Sequence, residues 1–85
     1  MRGGELDVVV RRGQEIVVCE VKARANDRFG TPFEAMTPRK IYRVQRAGHA
    51  FLRDWRELTG ERNLRLRFDV ASVLGTHLEV IEDCF

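Results

Sequence analysis

No stretch of this 85-residue chain is apolar for anything near the roughly 20 residues that a membrane-crossing helix needs. A basic-then-apolar leader is equally missing from its start, so the cytoplasm is the expected location. Cysteine is scarce. Cys19 and Cys84 stand alone with no Cys-x-x-Cys spacing, which excludes a disulfide framework and a cysteine-based zinc site. Cys19, set among strand-forming valines, is expected to be a buried free thiol. Charge of one sign is lacking too: 15 Lys and Arg against 13 Asp and Glu leave a net +2, too little to require a polyanionic partner. Repeats, low-complexity tracts and linkers are absent, so a single small domain is expected over residues 1–85. A chain this short buries only ~60–65% of its unfolded surface, which leaves its stability marginal.

What is present is a mixture of short β-branched runs and one long amphipathic stretch, with 44% apolar and 33% charged residues. That balance suits a folded globular protein and excludes intrinsic disorder. Residues 5–10 and 15–22 alternate as strands, with 11–14 as the turn between them. A loop rich in turn formers, 26–36, follows and carries Gly30 and Pro32. Thr37-Pro38 then opens a helix, Thr as N-cap and Pro in the first turn, and Gly60 is its stop. Ile41, Val44, Gly48, Phe51, Leu52, Trp55 and Leu58 form the helix's apolar stripe. Residues 66–74 form a third strand, parallel to its neighbour because a helix carries the chain across, and Gly75-Thr76 turns into a fourth at 77–81. The fold class expected is α/β (α+β): a mixed β-sheet with a long helical crossover. An exposed edge on the first strand would invite homodimerisation through it.

Side chains of a strand change face at every residue. Glu20 and Lys22 therefore share one face, and Glu5 and Asp7 share one on the neighbouring strand. Any hairpin register whose paired numbers sum to an odd value, such as 25 or 27, brings all four to the same side. Val17, Cys19 and Val21 are expected to bury the opposite face. Carboxylates and an ammonium converging on one patch can hold a hard divalent cation and set a charge beside a water or a phosphate oxygen. The plainer alternative is a solvated, self-compensating charged face. Farther on, Arg39, Lys40, Arg43 and Arg46 crowd the outer side of the helix, while acids gather at the C-terminus. That asymmetry suits a basic face contacting phosphates, and Lys40, near the helix start, can also reach the edge of the acidic patch. Asp69, the other carboxylate inside a strand, is expected to bond loop backbone. His49, isolated with no partner at ligand spacing, is expected to be structural, and His77, just after the turn, to be exposed.

The segments Gly3-Gly4-Glu5-Leu6-Asp7-Val8-Val9, Val18-Cys19-Glu20-Val21-Lys22-Ala23-Arg24, Arg28-Phe29-Gly30, Glu34-Ala35-Met36-Thr37-Pro38-Arg39-Lys40 and Arg67-Phe68-Asp69-Val70 occur in this order. In this the chain resembles the YraN-type family of small bacterial proteins with the PD-(D/E)xK nuclease-like fold. The first two segments are also similar to archaeal Holliday-junction resolvases. The likeness runs through residues 3–85 and implies a restriction endonuclease-like core, N-terminally shortened, since the family's leading helix and first strand have no counterpart before Met1. It implies a Mg²⁺ (or Mn²⁺) site made by Asp7, Glu20 and the backbone carbonyl of Val21. Lys22 would orient or deprotonate the attacking water, and Glu5 would serve as an auxiliary acid. The expected function is metal-dependent phosphodiester hydrolysis in DNA, in recombination or repair. Two alternatives stand beside it: a nucleic-acid-binding module of the same ancestry that does not cut, and a small protein–protein interaction domain.

Overall fold

The computed structural model describes residues 6–24 and 36–85. Glu5 and the expected 26–36 loop, Met36 excepted, lie outside the described residues. The elements are β1 (Val8–Arg12), β2 (Glu15–Arg24), α1 (Pro38–Thr59), β3 (Arg65–Leu74) and β4 (His77–Ile81). They form one four-stranded sheet in the order β1-β2-β3-β4, crossed by the helix. The outer pairs are antiparallel and the β2–β3 pair is parallel, so the mixed α+β class and the helical crossover are as expected.

The first hairpin is tighter than the sequence suggests. Arg11 and Arg12 continue β1, pairing with Ile16 and Glu15, so the turn is Gly13-Gln14 and not residues 11–14. Gly13 at φ 60° supplies the positive first torsion that a two-residue turn of the primed kind requires. Gly75, also at φ 60°, does the same between β3 and β4. At its other end β1 starts at Val8, and Asp7 lies in a bend just before it.

Helix α1 is bounded as its caps dictate. Thr37 is extended (φ −69°, ψ 157°), and its Oγ1 accepts from the Lys40 N–H at 3.2 Å. Gly60, left-handed at φ 77°, donates its N–H to the Arg56 carbonyl at 2.8 Å. The helix lies on one face of the sheet. Val44 packs with Val18, Met36, Phe68 and Val70, and Leu52 packs with Ile16 and Leu64. Gly48 makes the approach to β3 close: a Cβ there would stand 2.8 Å from the Phe68 ring. Leu58 departs from the expected stripe. It is 80% exposed, because neither buried cluster reaches the last turn of the helix.

The expected division of β2 into an apolar and a charged face also needs correction. Ile16 and Val18 share their face with Glu20 and Lys22, and it is this face that α1 covers. On the reverse face Val17 is buried, but Cys19 is only half-buried and Val21 is 38% exposed. Both cysteines are free thiols. Their pKa values are raised, chiefly by burial. Asp69 bonds backbone as expected, accepting from the Asp83 N–H at 2.9 Å while its oxygens also pair with Arg67 at 3.0 Å. No helix among the described residues is long and apolar enough to cross a membrane.

Candidate metal and nucleic-acid site

The pairing of β1 with β2 decides where the acids go. Val8 faces Cys19 and Val9 faces Val18, so paired numbers sum to 27, one of the two registers expected. Continued by one residue, the register sets Asp7 opposite Glu20. The two are interlocked: the Asp7 Oδ2 accepts from the Val21 N–H at 3.0 Å, and the Asp7 N–H points to the Glu20 Oε2 at 3.4 Å. Asp7 thus stops the ladder by putting its carboxylate where a strand carbonyl would sit. A strand residue sends its N–H and C=O toward the same neighbour, so the Val21 carbonyl also faces the Asp7 side.

Glu20 is the unusual member. It is only 2% exposed, one of two charged residues buried among the described residues, the other being Asp69. Burial disfavours its charged form and raises its pKa, and the Asp7 charge adds to that. The Asp7 N–H and the ammoniums of Lys40 and Lys22 act in the opposite sense. Lys22, half-buried on the same face, is pushed down, first by burial and then by the neighbouring Lys40. Glu20 and Asp7 oppose that shift. Two carboxylates and two ammoniums are therefore gathered at one end of the sheet, under the first turn of α1.

Lys40 separates from the other basic residues. An α-helix advances about 100° per residue, so Lys40 hangs over the sheet end beside Val44, while Arg39, Arg43 and Arg46 point outward and are exposed. Among the described residues none of those three arginines forms an ion pair. The Arg46 guanidinium lies 5.8 Å over the Tyr42 ring, and Tyr42 itself is exposed. This aromatic neighbour goes beyond the sequence expectations, although the Tyr-to-Arg spacing of four residues on a helix is the signal for it. His49 and His77 are exposed, and Glu5 lies outside the described residues.

The donors suit a hard cation. Asp7, Glu20 and the Val21 carbonyl offer only oxygen, and a buried carboxylate with a raised pKa is one that a cation would stabilise. Among the described residues no group of three or more His, Cys, Asp or Glu side chains comes together. Mg²⁺ tolerates so few protein ligands, keeping waters or phosphate oxygens for the rest of its shell.

Known proteins match along most of the chain. The profile of the "Uncharacterised protein family UPF0102" matches residues 1–73. A UPF0102 protein of Acidothermus cellulolyticus is 39% identical over 95 residues, covering 99% of this chain and 72% of its own length. One from Phocaeicola vulgatus is 38% identical, covering 95% of this chain and 66% of its own length. One from Burkholderia pseudomallei is 42% identical, covering 100% of this chain and 56% of its own length. The chain thus spans between just over half and just under three quarters of these relatives. No solved structure matches it.

Proposed function

The chain belongs to the uncharacterised protein family UPF0102, and we propose that it is a metal-dependent nuclease domain that hydrolyses phosphodiester bonds in DNA. On this reading the mixed sheet is a restriction endonuclease-like core of the PD-(D/E)xK kind, akin to archaeal Holliday-junction resolvases. Asp7 and the Glu20-Val21-Lys22 segment are its signature. The observation that carries the reading is the interlock of Asp7 with Glu20 and Val21, held beside the Lys22 amine.

Each residue has a role that its position supports. Asp7, Glu20 and the Val21 carbonyl would hold Mg²⁺ or Mn²⁺. Such an ion would supply Lewis acidity toward the phosphoryl oxygens and lower the pKa of a bound water. Lys22 shares the Glu20 face, where it steadies that water or takes its proton and offsets charge on the phosphate. Its pKa is lowered, chiefly by burial, in the direction that favours release of a proton. Arg39, Arg43 and Arg46 bind the backbone on either side of the scissile bond through exposed guanidiniums.

The direct test is cleavage of end-labelled DNA by this chain with Mg²⁺ or Mn²⁺, set against Asp7→Asn and Lys22→Ala. Asn keeps an oxygen for the Val21 N–H while removing the charge. Loss of turnover by roughly two orders of magnitude or more is expected, with DNA binding retained. Turnover in Asp7→Asn equal to the parent would refute the assignment. A second reading, a DNA-binding module without hydrolysis, is favoured by the small number of clustered acids among the described residues. Salt-sensitive binding with no turnover under any divalent metal would establish it instead.

A further inference from the structure

Tyr42 stands apart among the aromatic side chains. Phe51, Trp55, Phe68 and Phe85 are buried or half-buried against the core, whereas Tyr42 is 59% exposed on the outer side of α1. One exposed aromatic is ordinary on a folded protein. Its surroundings here are not. The Arg46 guanidinium, one turn on, lies 5.8 Å over the ring, inside the range of a cation–π contact. The pair makes a ridge with open ground on both sides. A hollow of about 570 Å³ is bordered by Gln45, His49 and Arg53, and one of about 320 Å³ by Arg43 and Ala47. Both fall in the size range of small-ligand sites, so either has room for a planar ring.

The charge along this side is of one sign. No acid occurs between Glu34 and Asp54, while Arg39, Lys40, Arg43, Arg46 and Arg53 do. At about 100° per residue, Arg39, Tyr42, Arg43, Arg46, His49 and Arg53 fall within one arc of about 120°. That arc lies opposite the buried Val44, Gly48 and Leu52. At about 1.5 Å per residue it runs for about 21 Å along the helix. Of its four arginines, Arg53 alone pairs with an acid among the described residues, an exposed contact with Asp54 at 3.6 Å. The first turn of α1 holds no acid, although the helix dipole favours one there. Local preference broken in this way is characteristic of a surface whose ligand brings the negative charge.

A cationic strip and an aromatic face suit different parts of one ligand. Phosphates satisfy the arginines. The ring needs another planar surface, which a duplex keeps inside its own stack and an unpaired strand leaves free. We propose that Tyr42, braced by Arg46, is the stacking platform for an unpaired base of single-stranded DNA, whose phosphates run along Arg39, Arg43 and Arg53. Lys40, two residues before Tyr42, overhangs the sheet end that holds Asp7 and Glu20, so the strip leads to the candidate site. The choice of DNA rests on the nuclease reading, while the platform itself requires only bases without partners. Two accounts compete with it. In one, the Tyr42–Arg46 pair serves the helix alone. In the other, the Tyr42 hydroxyl holds a phosphate of duplex DNA.

The experiment is fluorescence anisotropy of the 85-residue chain, without divalent metal, against three labelled oligonucleotides of one length. These are a single strand, the same sequence as a duplex, and a strand whose bases are replaced by abasic sugars. The single strand should bind at least about fivefold more tightly than the abasic one, the lower end of what stacking one base contributes. Tyr42→Ala should weaken the single strand by the same factor and leave duplex and abasic binding unchanged. Tyr42→Phe should keep the parent affinity. Circular dichroism melts should show both variants folded, as the exposed position allows. Parent binding that ignores the missing bases overturns the proposal, as does the absence of single-strand binding. So does a Tyr42→Ala variant weakened equally for duplex, or a Tyr42→Phe variant weakened as much as the alanine. Cleavage with Mg²⁺ or Mn²⁺ is read separately. Single-strand binding through Tyr42 by a chain that cleaves no DNA would sink the nuclease reading and leave the platform standing. Cleavage by a chain whose single-strand affinity ignores Tyr42 would do the reverse.

Discussion

Replacing Gly48 by alanine sets two effects of known size against each other. An alanine in the middle of a helix is worth about 1 kcal/mol over glycine, so the substitution should stabilise α1 taken alone. Against this, the new methyl group would meet Phe68 Cε1 at 2.8 Å and Cζ at 2.9 Å, with Leu66 Cδ2 at 3.5 Å. The ring contact is roughly 0.7 Å inside the nearest comfortable carbon–carbon separation. Phe68 cannot step aside easily, being buried and stacked on Phe85 at a centroid distance of 5.2 Å. Overpacking of this kind costs about 1–3 kcal/mol. The net expectation is destabilisation by about 1 kcal/mol, or a fall of roughly 4–8 °C in Tm for a chain of this size. Circular dichroism melts of Gly48→Ala, Phe68→Leu and the double variant form a cycle that isolates the clash. The alanine should cost stability beside Phe68 and add to it in the Phe68→Leu background, where the side chain is smaller, with a coupling of at least about 0.5 kcal/mol. A Gly48→Ala protein melting at or above the parent temperature would refute the close approach of α1 to β3.

Two further outcomes follow from the site. Glu20→Gln should raise Tm at neutral pH. The folded pKa of Glu20 is raised, so the native state binds more protons than the unfolded one, and stability is lost as pH climbs from the unfolded value through the folded one. The gain from glutamine should accordingly vanish in melts run below the unfolded glutamate pKa; a gain independent of pH would contradict it. Arg39→Gln combined with Arg43→Gln should weaken DNA binding at low salt and flatten the log–log salt dependence by about 1.8, two phosphate contacts' worth. Anisotropy titrations between low and moderate salt measure this, and an unchanged slope would remove both residues from the interface.

Much of the architecture is legible in the residues because each signal is local. Thr37-Pro38 and Gly60 bound α1 through capping, and Gly75-Thr76 makes its turn through glycine's positive φ. Period-two alternation puts Glu20 and Lys22 on one face, and any register of odd sum then brings Asp7 to it. Other features depend on what packs against what, which alternation does not specify. Both faces of β2 are apolar, Ile16 and Val18 on one and Val17, Cys19 and Val21 on the other, so the pattern is symmetric about the strand. Only the docking of α1 makes one face interior, and that is why Glu20 is buried beneath the helix while Val21 is left exposed. Lys40 reads as one of four basic residues in sequence, and its offset of about a quarter turn from the arginines matters only once the helix has a sheet beneath it. Leu58 keeps the helical spacing but lies beyond the reach of either buried cluster.

The parallel pairing of β2 with β3 joins residues fifty positions apart, from Glu15 with Arg65 to Arg24 with Leu74. Asp7 and Glu20, by contrast, are brought together by a tight reversal only thirteen residues long. Hairpins close within ~1–10 μs, whereas long-range parallel contacts must first overcome the entropy of a large loop. The acids thus meet early, and the second amine arrives late, carried in by the element that bridges the slow pairing. Assembly of the charge cluster is in this sense a report on completed folding: an unfinished chain has both acids but only one of the two amines.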